Sequence, residues 1–124
     1  ARVAEIRKLA GEAFALYSGD DATARDFIAL GGQGVVSVTA NVAPAAMSRM
    51  CQAALAGRAA EAAALDQPLS ALHRDLFVES NPIPVKWALT RMGRLPPGIR
   101  LPLTPLSPEA QPVVEAALRQ AGLL

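Results

Sequence analysis

The sequence is poor in the residues that most often carry chemistry. Its 124 residues include one cysteine, one histidine, one tryptophan and one tyrosine, and aromatic residues make up only 4% of the chain. A lone Cys51 excludes an internal disulfide and suits a reducing compartment, so a cytoplasmic location is expected. Charge of one sign is also missing: the formal net charge is +1, with acids and bases interspersed. That balance points to neither a nucleic-acid partner nor an anionic membrane surface. No run approaches the roughly 20 apolar residues that span a bilayer. The opening residues show no charged region, apolar core and cleavage site of a secretory signal. Ala1 lies inside a helical pattern, which reads as a cut rather than a natural start.

What is present is apolar and helix-forming. Hydrophobic residues make up 52% of the chain, with alanine and leucine dominant, and the length suffices for one domain with a sizeable core. The organising stretch is Phe14 to Asn41. The run Phe14-Ala15-Leu16-Tyr17 reads as a strand ending in Ser18-Gly19-Asp20-Asp21. Asp21, or Asp20, is placed to cap a helix running through Leu30, with Thr23, Phe27 and Leu30 on one face. Gly31 stops that helix, and Gly34 opens a second β-rich run, Val35 to Thr39. Two such runs joined by one short helix predict a βαβ unit with parallel strands. Parallel strands belong to large sheets covered on both faces. With two convincing strands in the whole chain, the sheet looks unfinished, and we expect a piece of a larger α/β protein.

The rest reads as helical. Val3, Ile6 and Ala10 give a short first helix closed by Gly11. Pro44 opens another, with Met47, Met50, Cys51, Ala54 and Leu55 as its stripe and Gly57 at its end. From Arg58 an alanine-rich run leads into Leu65, Leu69, Leu72 and Leu76, with Pro68 expected to kink or divide it. Asn81 is a plausible cap for the next helix, Pro82 or Pro84 its first-turn residue, and Val85, Ala88, Leu89 and Met92 its stripe, before Gly93. Arg94 to Leu106 carries four prolines and should be an extended connector. A last helix starts at Ser107-Pro108-Glu109 and buries Val113, Val114, Ala117, Leu118 and Ala121.

In parallel α/β folds, ligands gather at the carboxyl ends of the strands. Those ends are Ser18-Gly19-Asp20-Asp21 and Ser37 to Asn41, where Ser37, Thr39 and Asn41 offer hydroxyl and amide groups to a small polar ligand. The first is equally well a turn plus a helix cap. A metal site on Asp20 and Asp21 is disfavoured, because no histidine or cysteine lies near in sequence. No sequence partner orients His73, so it reads as a surface or partly buried residue. Cys51 reads as core. The two lysines are Lys8, a solvated helix residue, and Lys86, in a first helical turn where the dipole disfavours a cation.

The strings LYSGDDATARDFIALGGQGVVSVTANVAP and LFVESNPIPVKWAL, with RLPLTPLS and a terminal AGLL, closely resemble the 4-hydroxy-tetrahydrodipicolinate synthase (dihydrodipicolinate synthase) family from about Ala1 to Leu124. The resemblance implies the C-terminal part of a (β/α)8 TIM barrel plus a C-terminal helical extension. On that reading residues 1–43 are the last βα units, and residues 44–124 are the final barrel helix and the extension. A full barrel needs about 250 residues. Family enzymes are lyases that condense pyruvate with L-aspartate 4-semialdehyde through a lysine imine, on the route to diaminopimelate and lysine, without metal or organic cofactor. The imine lysine and the proton-relay threonine and tyrosine match positions upstream of Ala1, so this chain is expected to hold no catalytic residue and to form no imine alone. Substrate-binding positions do carry over: Val36 through its main chain, Gly19 and Asp20 beside the substrate entrance, and Asn81 near the same mouth. The resemblance also implies a homotetramer.

Two other readings stand beside it. Another pyruvate-imine lyase, such as an N-acetylneuraminate lyase or a keto-deoxy-sugar aldolase, would share the barrel; the Ser-Gly-Asp-Asp and Ser-Val-Thr-Ala-Asn strings favour the synthase. A free-standing helical assembly module would also suit the many apolar helix faces.

Overall fold

A computed structural model describes residues 2–124. The organising stretch is the expected βαβ unit: strand β1 (Tyr17–Ser18), helix α2 (Ala24–Ala29) and strand β2 (Gly34–Val35) follow the short helix α1 (Arg2–Ala10). The two strands pair in parallel, with Tyr17 opposite Gly34 and Ser18 opposite Val35. The ladder extends one bond either way: Gln33 N–H donates to the Leu16 carbonyl and Val36 N–H to the Ser18 carbonyl, each at 2.8 Å. The guanidinium of Arg7 ties α1 to this unit, donating to the carbonyls of Phe14 at 2.6 Å and Gly31 at 2.9 Å.

Both strands differ from expectation in length and position. The first does not begin at Phe14 but pairs from Leu16, and the second leaves the ladder after Val36 instead of running to Thr39. The cause is Asp21. Its carboxylate is 2% exposed and does not cap α2, whose N-cap is Thr23 without a side-chain bond. One oxygen, Oδ2, instead accepts the backbone N–H groups of Val38 and Thr39, each at 2.9 Å. Two donors that a longer strand would send sideways to a neighbour are thus captured from across the unit. The chain bends there into a 3-10 turn at Thr39–Asn41. With α2 beginning at Ala24, its buried residues are Ala24 and Ile28, one position from the Thr23-Phe27-Leu30 face, where Leu30 is mostly exposed. At its end, Gly31 takes φ +96°, a left-handed conformation that L side chains resist. Gly32 then lies against Phe27, where a Cβ would collide with the aromatic ring and sit 2.9 Å from the Phe27 carbonyl oxygen.

The helical remainder forms the core. It comprises α3 (Pro44–Leu55), α4 (Ala59–Asp66), a 3-10 turn at Gln67–Leu69, α5 (Ser70–Asp75), α6 (Ile83–Arg91) and α7 (Gln111–Gln120). Pro68 divides the long helical run as expected, since it removes a backbone donor. Met47, Met50, Leu69, Leu72, Leu76, Val85, Ala88, Val114 and Leu118 make one continuous apolar cluster. α3 packs against α2, α4 and β2, while α7 packs against α5 and α6. Two predicted stripe residues face outward: Leu55 at the end of α3 and Val113 at the start of α7 are both exposed. The α3 stripe turns through Ala53 instead, and α7 begins at Gln111, later than the Ser107 start. Ser107 shapes a preceding turn, its carbonyl accepting Gln111 N–H and its hydroxyl accepting Ala110 N–H. Asn81 does not cap α6. The helix begins at Ile83 with Pro82 as N-cap, which leaves Asn81 one residue too early, and Pro84 takes the first turn. Residues 94–106 form no helix or strand. Among the described residues no helix is long and apolar enough to cross a membrane.

α6 and α7 are clasped at the surface by Glu115, which accepts from Arg91 Nε at 2.9 Å and Arg119 Nη2 at 2.7 Å. These two partners hold the Glu115 carboxyl at about 2, against an ordinary 4.5. A carboxyl depressed on folding stabilises the folded state above its unfolded pKa, and that contribution fades as pH falls from 4.5 towards 2. Glu115→Gln is therefore expected to lower the denaturation midpoint at pH 6, less so in high salt, and to lose most of that deficit near pH 2; an equal deficit at both pH values would contradict the clasp. Asp21→Asn places two amide donors in a buried site built for an acceptor. It is expected to cost about 1–3 kcal/mol, read by urea denaturation of the intact protein, and an unchanged midpoint would contradict the role given to Asp21.

Candidate functional site at the strand ends

The carboxyl ends of β1 and β2 meet through the bond from Val36 N–H to the Ser18 carbonyl. This bond sets Val36 directly beside the turn Ser18-Gly19-Asp20, so three of the four expected binding positions share one place. All three are open to solvent: Val36 is 76% exposed, Gly19 and Asp20 are exposed, and a Cβ built on Gly19 would meet nothing within 4 Å. Asn81 is also exposed and makes no side-chain hydrogen bond among the described residues. It lies just before α6, and α6 packs on the 3-10 turn that follows β2.

The turn after β1 is built from its own polar atoms. Ser18 Oγ accepts Asp20 N–H at 3.1 Å, and Asp20 Oδ2 accepts the Thr23 hydroxyl. Asp20 thus stays at the surface as a formal negative charge, whereas Asp21 beside it is buried and structural.

The three polar residues after β2 all bond within the chain. Ser37 Oγ accepts Ala40 N–H at 2.8 Å, and Asn41 Nδ2 donates to the Val38 carbonyl at 3.0 Å. Thr39 is fully buried, with its hydroxyl 2.9 Å from His73 Nδ1. Because β2 bends after Val36, strand periodicity does not describe which way these side chains point.

His73 departs from the sequence reading most. It is buried in α5, and it has partners on both ring nitrogens: Thr39 Oγ1 on Nδ1 and Asp66 Oδ1 on Nε2 at 3.1 Å. Since a carboxylate only accepts, Asp66 fixes the proton of a neutral ring on Nε2 and leaves Nδ1 to accept the Thr39 hydroxyl. Arg25 Nη1 lies 3.7 Å from the other oxygen of Asp66. Separations of 7 and 34 residues gave no sequence signal for this chain of contacts. Cys51 is partly buried; burial chiefly, then the nearby carboxylates of Asp21 and Asp66, pushes its thiol up. A raised thiol is mostly protonated at neutral pH and a poor nucleophile. Lys86 is half-buried and lines a hollow of about 130 Å3 with Trp87, Ile99 and Leu106, which contains no residue of the strand ends.

A sequence model of the Dihydrodipicolinate synthetase family matches residues 1–121. The 4-hydroxy-tetrahydrodipicolinate synthase of Alcanivorax borkumensis is 62% identical over 123 residues, covering 99% of this chain and 42% of that protein. The Pseudomonas aeruginosa synthase is 56% identical, again over 99% of this chain and 42% of its own length. Among solved structures, the dihydrodipicolinate synthase of Acinetobacter baumannii in complex with pyruvate superposes with a TM-score of 0.92 at 49% identity, over 98% of this chain and 42% of that one. The Aquifex aeolicus enzyme gives 0.93 at 40% identity, with the same coverage. The chain therefore spans about two-fifths of the length of these relatives. Its two parallel strands and following helices have the fold of the C-terminal part of a TIM barrel with its helical extension. On this match along nearly its whole length, the chain belongs to the dihydrodipicolinate synthetase family.

Proposed function

We propose that this chain is the C-terminal part of a 4-hydroxy-tetrahydrodipicolinate synthase, a lyase joining pyruvate to L-aspartate 4-semialdehyde in lysine and diaminopimelate biosynthesis. The observation that carries the reading is the Val36–Ser18 bond. It brings both strand ends to one place in a chain 62% identical to a synthase over 123 residues. Residues 1–43 would close the barrel, and residues 44–124 would supply its last helix and the extension. A cytoplasmic homotetramer is part of the same proposal.

The chemistry requires an amine. A neutral lysine adds to the keto carbon of pyruvate, a proton is taken up and water leaves, giving a cationic imine. The imine withdraws electrons from the methyl group, which loses a proton to become an enamine. The enamine carbon then attacks the aldehyde carbon, whose oxygen takes up a proton. Lys8 and Lys86 are poorly placed for the first step, since neither belongs to the strand ends; the imine lysine would come from chain preceding residue 1. The present residues would bind and orient. A main-chain carbonyl at Val36 is a pure acceptor and suits the electron-poor imine, not the pyruvate carboxylate. The exposed carboxylate of Asp20 suits the ammonium of the aldehyde substrate. Gly19 leaves room at the entrance, and the Asn81 amide would serve the polar end of the same substrate.

Borohydride reduction of the intact protein with pyruvate, followed by peptide mass mapping, is expected to place the adduct on a lysine other than Lys8 and Lys86. An adduct on either of those would overturn the assignment, as would turnover only with sugar acids. Asp20→Asn is expected to raise KM for the aldehyde about tenfold, the loss of one charge-assisted bond, and to leave KM for pyruvate unchanged. Val36→Ala should keep KM for pyruvate within about twofold, because the contributing group is the backbone. The reverse pattern in steady-state kinetics would contradict these roles.

A further inference from the structure

We propose that Asp66, His73 and Thr39 form a positioning chain through which the helical extension sets the pyruvate-facing backbone at Val36; this rests on the function proposed above. Val36 is fixed at its N–H by the Ser18 carbonyl. Three residues later, the Thr39 N–H is held by Asp21 and the Thr39 side chain by His73. The backbone between these anchors is short, so the direction of the Val36 carbonyl follows from where Thr39 is pinned. Thr39 is fully buried and His73 is 6% exposed, so neither reaches a substrate, although their order with Asp66 resembles a nucleophile, a base and an orienting acid. Asp66 ends α4 and His73 lies in α5, while Thr39 opens the turn after β2. The contacts therefore link three separate elements. Asp66 fixes the ring proton, the ring accepts the Thr39 hydroxyl, and the strand end inherits that order. A buried histidine whose only task was to fill space would need neither partner, and apolar side chains would pack there without desolvating an acid.

The test uses the intact synthase with Thr39→Val, which keeps the side-chain shape and removes the hydroxyl, and Thr39→Ser, which restores it. Thr39→Val is expected to raise KM for pyruvate about threefold to tenfold, the loss of one hydrogen bond, with kcat and KM for the aldehyde within about twofold. Thr39→Ser should return KM for pyruvate to the wild-type range. A lower Tm with unshifted KM for pyruvate would show a purely structural contact and overturn the inference. Asp66→Asn alters the ring's proton order with little change of shape; it should shift KM for pyruvate in the same direction even where Thr39→Val fails to fold, and no shift there also overturns the inference. Wild-type protein that forms no pyruvate imine removes the proposed function and this inference together, whereas an active wild type with unshifted variants removes the inference alone.

Discussion

One buried carboxylate determines how this chain ends its sheet. Asp21 Oδ2 takes two consecutive backbone donors from the far side of the βαβ unit. A carboxylate buried to 2% exposure without such donors would be costly to desolvate. With them, the bend after Val36 becomes the satisfied arrangement and a longer strand the unsatisfied one. The other oxygen of Asp21 is buried and has no hydrogen-bond partner among the described residues, so the two captured N–H groups carry the compensation. Everything that follows in the chain enters through this bend: the 3-10 turn, the start of α3 at Pro44, and the placement of Thr39 against α5.

The bend also explains which parts of the fold were legible in the sequence. Periodicity and punctuation identified each α-helix among the described residues, the lack of helix or strand at 94–106, the division at Pro68 and the parallel strand pair. These depend on local rules: apolar spacing, the missing donor of proline, the left-handed freedom of glycine. What could not be read was set by long-range polar pairing. Asp21 looked like a cap because acids at helix starts usually are, and only the approach of residues 38 and 39 gives it stronger donors. His73 looked unpartnered because Thr39 and Asp66 reach it through folding, not through spacing. Alternation alone does not say where Ser37, Thr39 and Asn41 point, and each bonds within the chain after the bend. Of the four positions named as binding, Gly19, Asp20 and Val36 lie together at the strand ends, and Asn81 lies at the surface and does not cap α6.

The two halves of the chain thus divide the work physically. The short sheet presents backbone and one exposed charge at the strand ends, with little side-chain chemistry of its own. The helices supply the apolar core that the two-residue strands cannot, and they reach back through His73 to the Thr39 side chain in the turn after β2.

The most direct test is a crystal structure of the intact protein reacted with pyruvate. The account predicts an imine on a lysine outside residues 1–124, the Val36 carbonyl in contact with the adduct, and the Asp21 and His73 bonds to residues 38 and 39 in place. An adduct bound elsewhere, with Val36 turned away from it and those bonds intact, would contradict it.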